Sequence, residues 1–299
     1  MKKSTKIILI VGISLLIIGF LMSLVAFLMG TTPFYIWKSI MNKDTVVYPS
    51  SKDNFIWSST EQNIRNLDIE LGQTELHIIP GDSFVFTADG KIDSIAVTGD
   101  TLHIKHTEKD SETFGLFKSY LFEKEIPPLK ATLTVPYNVF FENITLEIGM
   151  GEFESKMPLK CKRSTLNVGL GSCSLEDFSV TDYFETECDM GSLTIQGTID
   201  GTSKIQCGMG SLFIQGNLKG NSKIQCGMGT VELITQGNPD DYNYKTKVGM
   251  GSVQIGDKTF EGLSNKERFS SAAKNYFDID CGMGAITISF VDTFQEHTL

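Results

Sequence analysis

The chain has 299 residues, of which 41% are hydrophobic, and it carries a formal net charge of −10. An acidic chain without a run of five like charges is a poor candidate for nucleic-acid binding, because phosphate contacts require clustered Lys and Arg. We expect the net charge to keep the molecule soluble.

The first predicted element is a membrane anchor. Residues 7–30 contain no charged side chain, and a helix of that length spans about 36 Å, against a hydrocarbon core of roughly 30 Å. A cleaved signal peptide has a shorter apolar core and an A-x-A-like site, so an uncleaved single-pass helix is favoured. Lys2, Lys3 and Lys6 precede the span and favour a cytoplasmic N-terminus, with the rest of the chain outside the cell membrane.

Three regions follow from this placement. The predictions are a cytoplasmic tip and transmembrane anchor at 1–30, a juxtamembrane linker at 31–60 and a β-solenoid at 61–299, with degenerate turns at 61–132 and regular repeats at 133–299. Leu71-Gly72 is interpreted as an eroded corner of the same array.

A short phrase recurs seven times in the second half of the chain. The copies are IGMGEF (148–153), VGLGSC (168–173), CDMGSL (188–193), CGMGSL (207–212), CGMGTV (226–231), VGMGSV (248–253) and CGMGAI (281–286). Their last glycines are 20, 20, 19, 19, 22 and 33 residues apart. A period near twenty is typical of a solenoid, in which each repeat buries its apolar face against its neighbours. The predicted fold class is therefore all-β, a parallel β-helix-like solenoid.

Within each copy the apolar residues alternate and then slip by one residue. Ile205, Cys207 and Met209 share one phase, and Leu212 and Ile214 share the next. Alternation predicts strands, and the slip predicts a corner or bulge between them. On this pattern we expect the central residue of every corner to point inward, forming one buried column. The structural corner residues are Gly149, Met150, Gly151, Gly169, Leu170, Gly171, Met190, Gly191, Gly208, Met209, Gly210, Gly227, Met228, Gly229, Gly249, Met250, Gly251, Gly282, Met283 and Gly284.

Two physical reasons could explain the glycines at these corners. A sharp bend can require a positive φ, which glycine adopts without a Cβ penalty, and strands stacked at about 4.8 Å leave little room for a side chain. Asp189 replaces the first glycine in one copy, whereas the second glycine is present in all seven. The second position is therefore expected to be the stricter one.

Four of the six cysteines occupy one slot of the repeat. Cys188, Cys207, Cys226 and Cys281 stand where other copies have Ile or Val, so we interpret the slot as a small buried apolar position and not as a disulfide framework. The recurrent Cys-x-Met could supply soft ligands for Cu(I), but Ile, Val and Leu fill the same slots elsewhere. Packing is the favoured interpretation, and no metal or cofactor is predicted.

Two insertions lengthen the later repeats, one around 239–241 and one across 256–276. Both interrupt the return side of a repeat, so we expect them to project from the same region. Ser264 and Glu267 fit a capping box, which leaves a short helix over 264–274 and a plain loop as open alternatives.

Catalysis is not indicated. The four histidines, His77, His103, His106 and His297, are scattered, and no nucleophile motif or phosphate-binding loop is present. His103 and His106 should point to opposite faces of a strand. We predict no enzyme activity and no catalytic residues.

Two stretches carry a resemblance to a known family. VPYNVFFENITLEIGMG (135–151) and DIDCGMGAITISF (278–290), with the serial GMGS turns and the N-terminal anchor, resemble the putative-adhesin β-strand-repeat family, a domain of unknown function in bacterial envelope proteins. The resemblance covers roughly residues 60–290. It implies a surface role without a defined ligand, and it implies no catalytic residues.

The leading functional hypothesis is a membrane-anchored, non-catalytic binding or structural module of the cell surface, adhesin-like, whose partners are the lipid bilayer and an unidentified surface ligand or envelope protein. The alternative is a membrane-associated regulatory or envelope-stress accessory protein. A passive spacer is a third possibility.

Overall fold

The computed structural model describes residues 55–59, 63–107, 128–268, 270, 272–292 and 294. All of these lie in one compact unit, residues 46–299. The predicted anchor (7–30) and most of the predicted linker (31–60) fall outside the described residues, so both remain predictions.

The described part of the chain is all-β, with 22 strands and a single short 3-10 turn. The first strands are β1 (Phe55–Ser58), β2 (Asn66–Leu71), β3 (Thr74–Gly81), β4 (Val85–Ala88), β5 (Ser94–Thr98), β6 (Thr101–His106), β7 (Leu129–Pro136), β8 (Phe140–Ile148), β9 (Glu152–Ser155), β10 (Leu159–Val168) and β11 (Ser172–Cys188). The others are β12 (Ser192–Ile199), β13 (Thr202–Cys207), β14 (Ser211–Leu218), β15 (Asn221–Cys226), β16 (Thr230–Gln236), β17 (Tyr242–Val248), β18 (Ser252–Ile255), β19 (Lys258–Glu261), β20 (Ser264–Arg268), β21 (Asn275–Cys281) and β22 (Ala285–Val291).

The strands form one large sheet whose pairings are mostly parallel. Each regular repeat pairs in register with its neighbours in space, so that equivalent residues stand beside each other. Strand β13 pairs with β15 with Cys207 opposite Cys226, and β14 pairs with β16 with Leu212 opposite Val231. The sequence repeat is therefore also a repeat of backbone hydrogen bonding.

The order of the strands in space differs from their order along the chain at both ends. Strand β21 pairs with both β15 and β17, so the last repeat lies between the two that precede it. At the other end, β2 lies between β6 and β8. Strands β2 and β21 are thereby enclosed between neighbouring strands instead of forming outer edges of the parallel array.

The core consists of the alternate residues that face inward from these strands. Burial alternates along β13 and along β14, and Ile205, Leu212 and Ile214 are all buried. The predicted alternation in these strands is confirmed. Gly72 also stands in the corner series, because the Met150 N–H donates to its carbonyl oxygen.

Antiparallel strands cover both ends of the parallel array. Strand β4 pairs antiparallel with β7 and with β1, so residues 55–58, placed by sequence at the end of the linker, belong to the sheet. Strands β19 and β20 pair antiparallel with β18 and β17. The outermost parallel strands therefore do not present free edges at these positions, which limits edge-to-edge association.

Neither alternative for 264–274, a short helix or a plain loop, holds over residues 264–268. Residues 264–268 form the extended strand β20, because pairing with β17 satisfies their backbone groups, whereas an isolated short helix is marginal. Arg268 of this insertion forms an ion pair with Asp240 of the other one, so the two insertions meet, as expected.

Candidate functional site

Seven of the exposed large apolar side chains in the described part of the chain form a row at the corners, which we name the methionine ridge. In spatial order the ridge comprises Met150, Leu170, Met190, Met209, Met228, Met283 and Met250. Each is between 52% and 76% exposed. The prediction that these residues form a buried column is therefore wrong.

The error comes from extending the strand alternation through the corner. Strand β13 ends at Cys207 and β14 begins at Ser211, so Gly208, Met209 and Gly210 belong to neither strand. The period-two rule applies only to extended backbone. At the corner the backbone turns around the core, and the central side chain points away from it.

The corner glycines are required by close backbone packing and not by a positive φ. A Cβ at Gly210 would lie 2.4 Å from the carbonyl oxygen of Gly191, and one at Gly229 would lie 2.3 Å from that of Gly210. At the first corner position the approach is looser, with 2.8 Å for Gly208. This difference explains why Asp189 can replace the first glycine whereas every copy keeps the second.

The cysteine slot lies directly inside the ridge. Cys207 is 3% exposed, and its Sγ donates to the carbonyl oxygen of Gly210 at 3.2 Å. Cys226 repeats this contact with Gly229 at 3.1 Å. Valine occupies the same slot at other corners, so the slot is essentially an apolar position. The hydrogen bond from the cysteine sulfur is an additional contact and not a requirement. All six cysteines are free and buried.

Acidic side chains flank one end of the ridge on both sides. A shallow groove beside Met150, Leu170 and Met190 is lined by Glu75 and Glu152. On the opposite flank, a second groove is lined by Glu147, Glu187 and Asp189, together with Glu70. Glu75 is paired with Lys130 and Glu70 with Lys105, so the negative field at this end of the ridge comes from the other four carboxylates, and it favours cations over anions.

A separate, better-formed cleft of about 650 Å³ lies elsewhere on the surface. It is bounded by the end of β3, the turn between β7 and β8, and the segment between β9 and β10. Its apolar rim includes Ile79, Tyr137 and Phe140, all of them exposed. We name this feature the amphipathic cleft.

The polar part of the amphipathic cleft centres on Glu154. The Glu154 Oε2 accepts a hydrogen bond from His77 Nδ1 at 2.9 Å, and Lys156 Nζ lies 3.2 Å from Oε1. Partial burial alone would raise the pKa of Glu154, but the bonds from Lys156 and His77 outweigh it and lower that pKa. Lys160 also lines the cleft. The cleft therefore combines an ionised carboxylate, two cations and aromatic surface.

Sequence reasoning missed this cleft because its residues come from distant segments. His77 and Glu154 are brought together only by the parallel pairing of β3 with β9, in which they stand opposite each other. Asn138 adopts a φ of 62° in the turn between Tyr137 and Phe140, a conformation that Asn tolerates better than most residues. The turn at Asn138 could be predicted from the sequence, but its position beside β3 could not.

The other described histidines do not form a site. His103 Nδ1 lies 2.8 Å from Asp68 Oδ2, and the largely buried His106 is 4.0 Å from Asp93. Within the described ranges, no three His, Cys, Asp or Glu side chains are grouped to hold a metal ion. No helix in this part of the chain is long and apolar enough to span a membrane.

Comparison with known proteins gives distant structural likenesses. No family model and no curated protein matches the chain. A crystal structure described as a putative cell adhesion protein from Clostridium sporogenes is 16% identical, with 80% of this chain and 99% of that chain covered and a TM-score of 0.34. A structure described as a putative adhesin from Bacteroides fragilis is 13% identical, with coverage of 80% and 98% and a TM-score of 0.42.

Proposed function

We propose that this chain is a membrane-anchored, cell-surface β-solenoid that binds a ligand in its amphipathic cleft without catalysis. The solenoid interpretation is supported by the in-register parallel pairing of successive repeats of about twenty residues. The anchor is supported by the uncharged stretch at 7–30, and the Lys residues before it favour the orientation with the solenoid outside.

The observation that carries the binding proposal is the composition of the cleft. Binding sites are typically concave and apolar, with a few polar groups that orient the ligand. Here Tyr137 and Phe140 supply exposed aromatic surface, while Lys156, Lys160 and His77 supply donors around Glu154. Exposed large apolar side chains gathered in a concave site point to an interaction surface.

The chemistry of the cleft suggests a ligand with an apolar or ring-shaped part and an acidic group. The aromatic side chains would contact the first, and the two lysines would attract the second. Acidic glycans and acidic peptides of the envelope or of a host matrix have both features.

The experiment is a binding screen of the full-length chain in detergent against arrays of acidic glycans and matrix peptides. Binding should fall strongly when Tyr137 and Phe140 are both replaced by Ser. Leu263→Asn is the matched control, because Leu263 is exposed outside the cleft and its φ of 45° suits Asn. Equal binding by the double variant and the control would refute the cleft as the site.

Anchoring and sidedness are tested separately by protease treatment of intact cells that express the chain. External protease should degrade the solenoid and leave the N-terminal tip protected. Protection of the whole chain would refute the proposed orientation. Loss of function on exchange of residues 7–30 for an unrelated span, with ligand binding unchanged, would instead favour the accessory-protein alternative.

A further inference from the structure

The methionine ridge places soft sulfur atoms in a continuous exposed row that the proposed cleft function does not use. The run is longest where Met190, Met209, Met228, Met283 and Met250 follow each other on neighbouring strands. The N–H of Met209 donates to Asp189 O at 2.6 Å, that of Met228 to Gly208 O at 2.8 Å and that of Met283 to Gly227 O at 2.7 Å. These bonds hold the corners in strict succession.

The insertion of the last repeat is what makes the run continuous. Met283 stands between Met228 and Met250, because β21 lies between β15 and β17. On the other side, Leu170 separates Met150 from the run. The folded chain therefore presents five adjacent thioethers, then one leucine, then a sixth thioether.

We propose that the methionine ridge binds soft monovalent metal ions, in particular Cu(I), through thioether sulfurs of adjacent corners. Thioethers select Cu(I) over the harder divalent ions, which prefer carboxylate, carbonyl or imidazole ligands. None of the ridge residues lines the amphipathic cleft, so failure of this proposal would leave the binding proposal for the cleft untouched.

The spacing of the corners suits this chemistry. Neighbouring strands lie about 4.8 Å apart, and the bond from zinc to a cysteine sulfur, taken here as a guide to metal–sulfur lengths, is about 2.3 Å long. One ion placed between two corners is thus within bonding reach of both sulfurs, and a third corner can contribute through the flexible methionine side chain. The flanking glycines have no side chains that would compete for this space.

The electrostatic surroundings favour a cation at the Met190 end. Asp189 precedes Met190 in the chain, and Glu187 lines the same flank. A cluster of exposed carboxylates raises the local concentration of any cation. The thioethers then select soft metal ions from among the cations that the carboxylates attract.

The buried thiols beneath the ridge are poor competitors in the folded protein. Cys281 is 0% exposed, so a metal ion that arrives from solvent does not reach its sulfur. Its Sγ also donates to Gly284 O at 3.3 Å and so points into the corner. The sulfur accessible to an ion from solvent is that of Met283.

The test uses the full-length chain in detergent with Ag(I) as a redox-stable probe and with Cu(I) under anaerobic reducing conditions. Methionine methyl groups are labelled with ¹³C for NMR, and bound ions are counted by native mass spectrometry. We expect the ridge methyl signals to shift on addition of metal, whereas the buried Met157 keeps its signal and serves as an internal reference.

The chain itself supplies the substitutions that test the site. A triple variant carries Met209→Leu, Met228→Leu and Met283→Leu. Each substitution reproduces the residue found naturally at the Leu170 corner, and together they remove the three central thioethers of the row. We expect affinity to fall by more than about 100-fold, since loss of outer-shell partners alone weakens metal binding 10–100-fold. Leu170→Met joins Met150 to the run and should increase the number of bound ions, which tests the proposal even if the triple variant folds poorly.

A matched thiol variant distinguishes the two sulfur columns. Cys188, Cys207, Cys226 and Cys281 are replaced by Val, the residue found in this slot at Val168 and Val248, and metal binding should persist. The proposal is overturned if the thiol variant loses binding, if the folded triple Leu variant keeps it, or if no ridge methyl signal shifts.

Discussion

The second glycine of each corner is expected to be far less replaceable than either residue before it. In Gly229→Ala the new Cβ would lie 2.3 Å from the carbonyl oxygen of Gly210 and 2.8 Å from Cys207 Sγ. Ordinary contact begins at 3.4 Å, so the two corners would have to separate by about 1.1 Å. The obstructing atom is backbone, so no side-chain rotation can relieve the clash.

The expected loss of stability follows from the hydrogen bonds that this separation breaks. The N–H groups of Met228 and Gly229 donate to Gly208 O at 2.8 and 2.9 Å, and that of Thr230 donates to Gly210 O at 3.0 Å. An opening of 1.1 Å would lengthen all three bonds to about 4 Å, at roughly 1 kcal/mol each. Overpacking adds about 1–3 kcal/mol. With partial relaxation, we expect Gly229→Ala to lower the free energy of unfolding by about 3–5 kcal/mol.

The assay is urea denaturation of residues 46–299 followed by far-UV circular dichroism, with two matched controls. In Gly227→Ala the nearest atom is Gly208 O at 2.9 Å, so the cost should be only about 1–2 kcal/mol. Met228→Ala removes a side chain that is 54% exposed and should cost less than about 1 kcal/mol. Equal losses for the two glycines, or a larger loss for Met228→Ala, would refute this account of the corner.

Three further predictions concern the core, acid stability and thiol reactivity. Phe277→Ala should cost about 3–5 kcal/mol, because Phe277 is buried and stacks on Tyr242 at 4.7 Å between ring centroids; an unchanged urea midpoint would contradict this packing. The hydrogen bond from Lys204 lowers the pKa of Glu185 below its ordinary 4.5, so the pair stabilises the fold above that pH and loses its effect as pH falls through the folded-state pKa. Glu185→Gln should therefore weaken the dependence of the free energy of unfolding on pH at acid pH. A pH dependence identical to that of the parent would show that the Lys204–Glu185 pair does not stabilise the fold. Burial raises the pKa of Cys161 to about 12, so iodoacetamide at pH 8 should modify this thiol only after unfolding, and rapid labelling of the native chain, located by mass spectrometry, would contradict its burial.

The repeat was the most readable feature of the sequence, since its pattern reports directly on local structure. Alternating residues such as Ile205 and Cys207 predicted strands, and the structure places both in the core. Glycine also occurs at turns outside the corners, where Gly201 and Gly220 adopt positive φ values of 94° and 85°. These inferences depend only on neighbours in the chain.

The methionine column shows where such reasoning fails. Strand alternation, extended through the corner, predicted that Met209 and Met228 are buried, but the corner geometry leaves both 54% exposed. The free energy gained by burying one methionine is about 1.5–3 kcal/mol. That gain does not compensate for bending the backbone into the core and breaking the corner hydrogen bonds that hold successive repeats together.

The amphipathic cleft and the order of the final repeats could not be predicted from the sequence, for a different reason. His77 meets Glu154 through a pairing of strands far apart in the chain, and β21 pairs between two strands that precede it. Nothing within any single segment specifies which other segment will be its neighbour. These contacts depend on how the complete set of strands satisfies its backbone groups.

The sequence alone thus determined the all-β class, the repeat length, the positions of the corners and the inward-facing strand residues, because each follows from local periodicity and from the steric properties of glycine. Only the tertiary structure decided which strands adjoin, which corner side chains face solvent and which charged and aromatic residues share a cleft. Those outcomes depend on long-range pairing, in which the burial of whole faces and the satisfaction of all backbone hydrogen bonds outweigh the preference of any single residue.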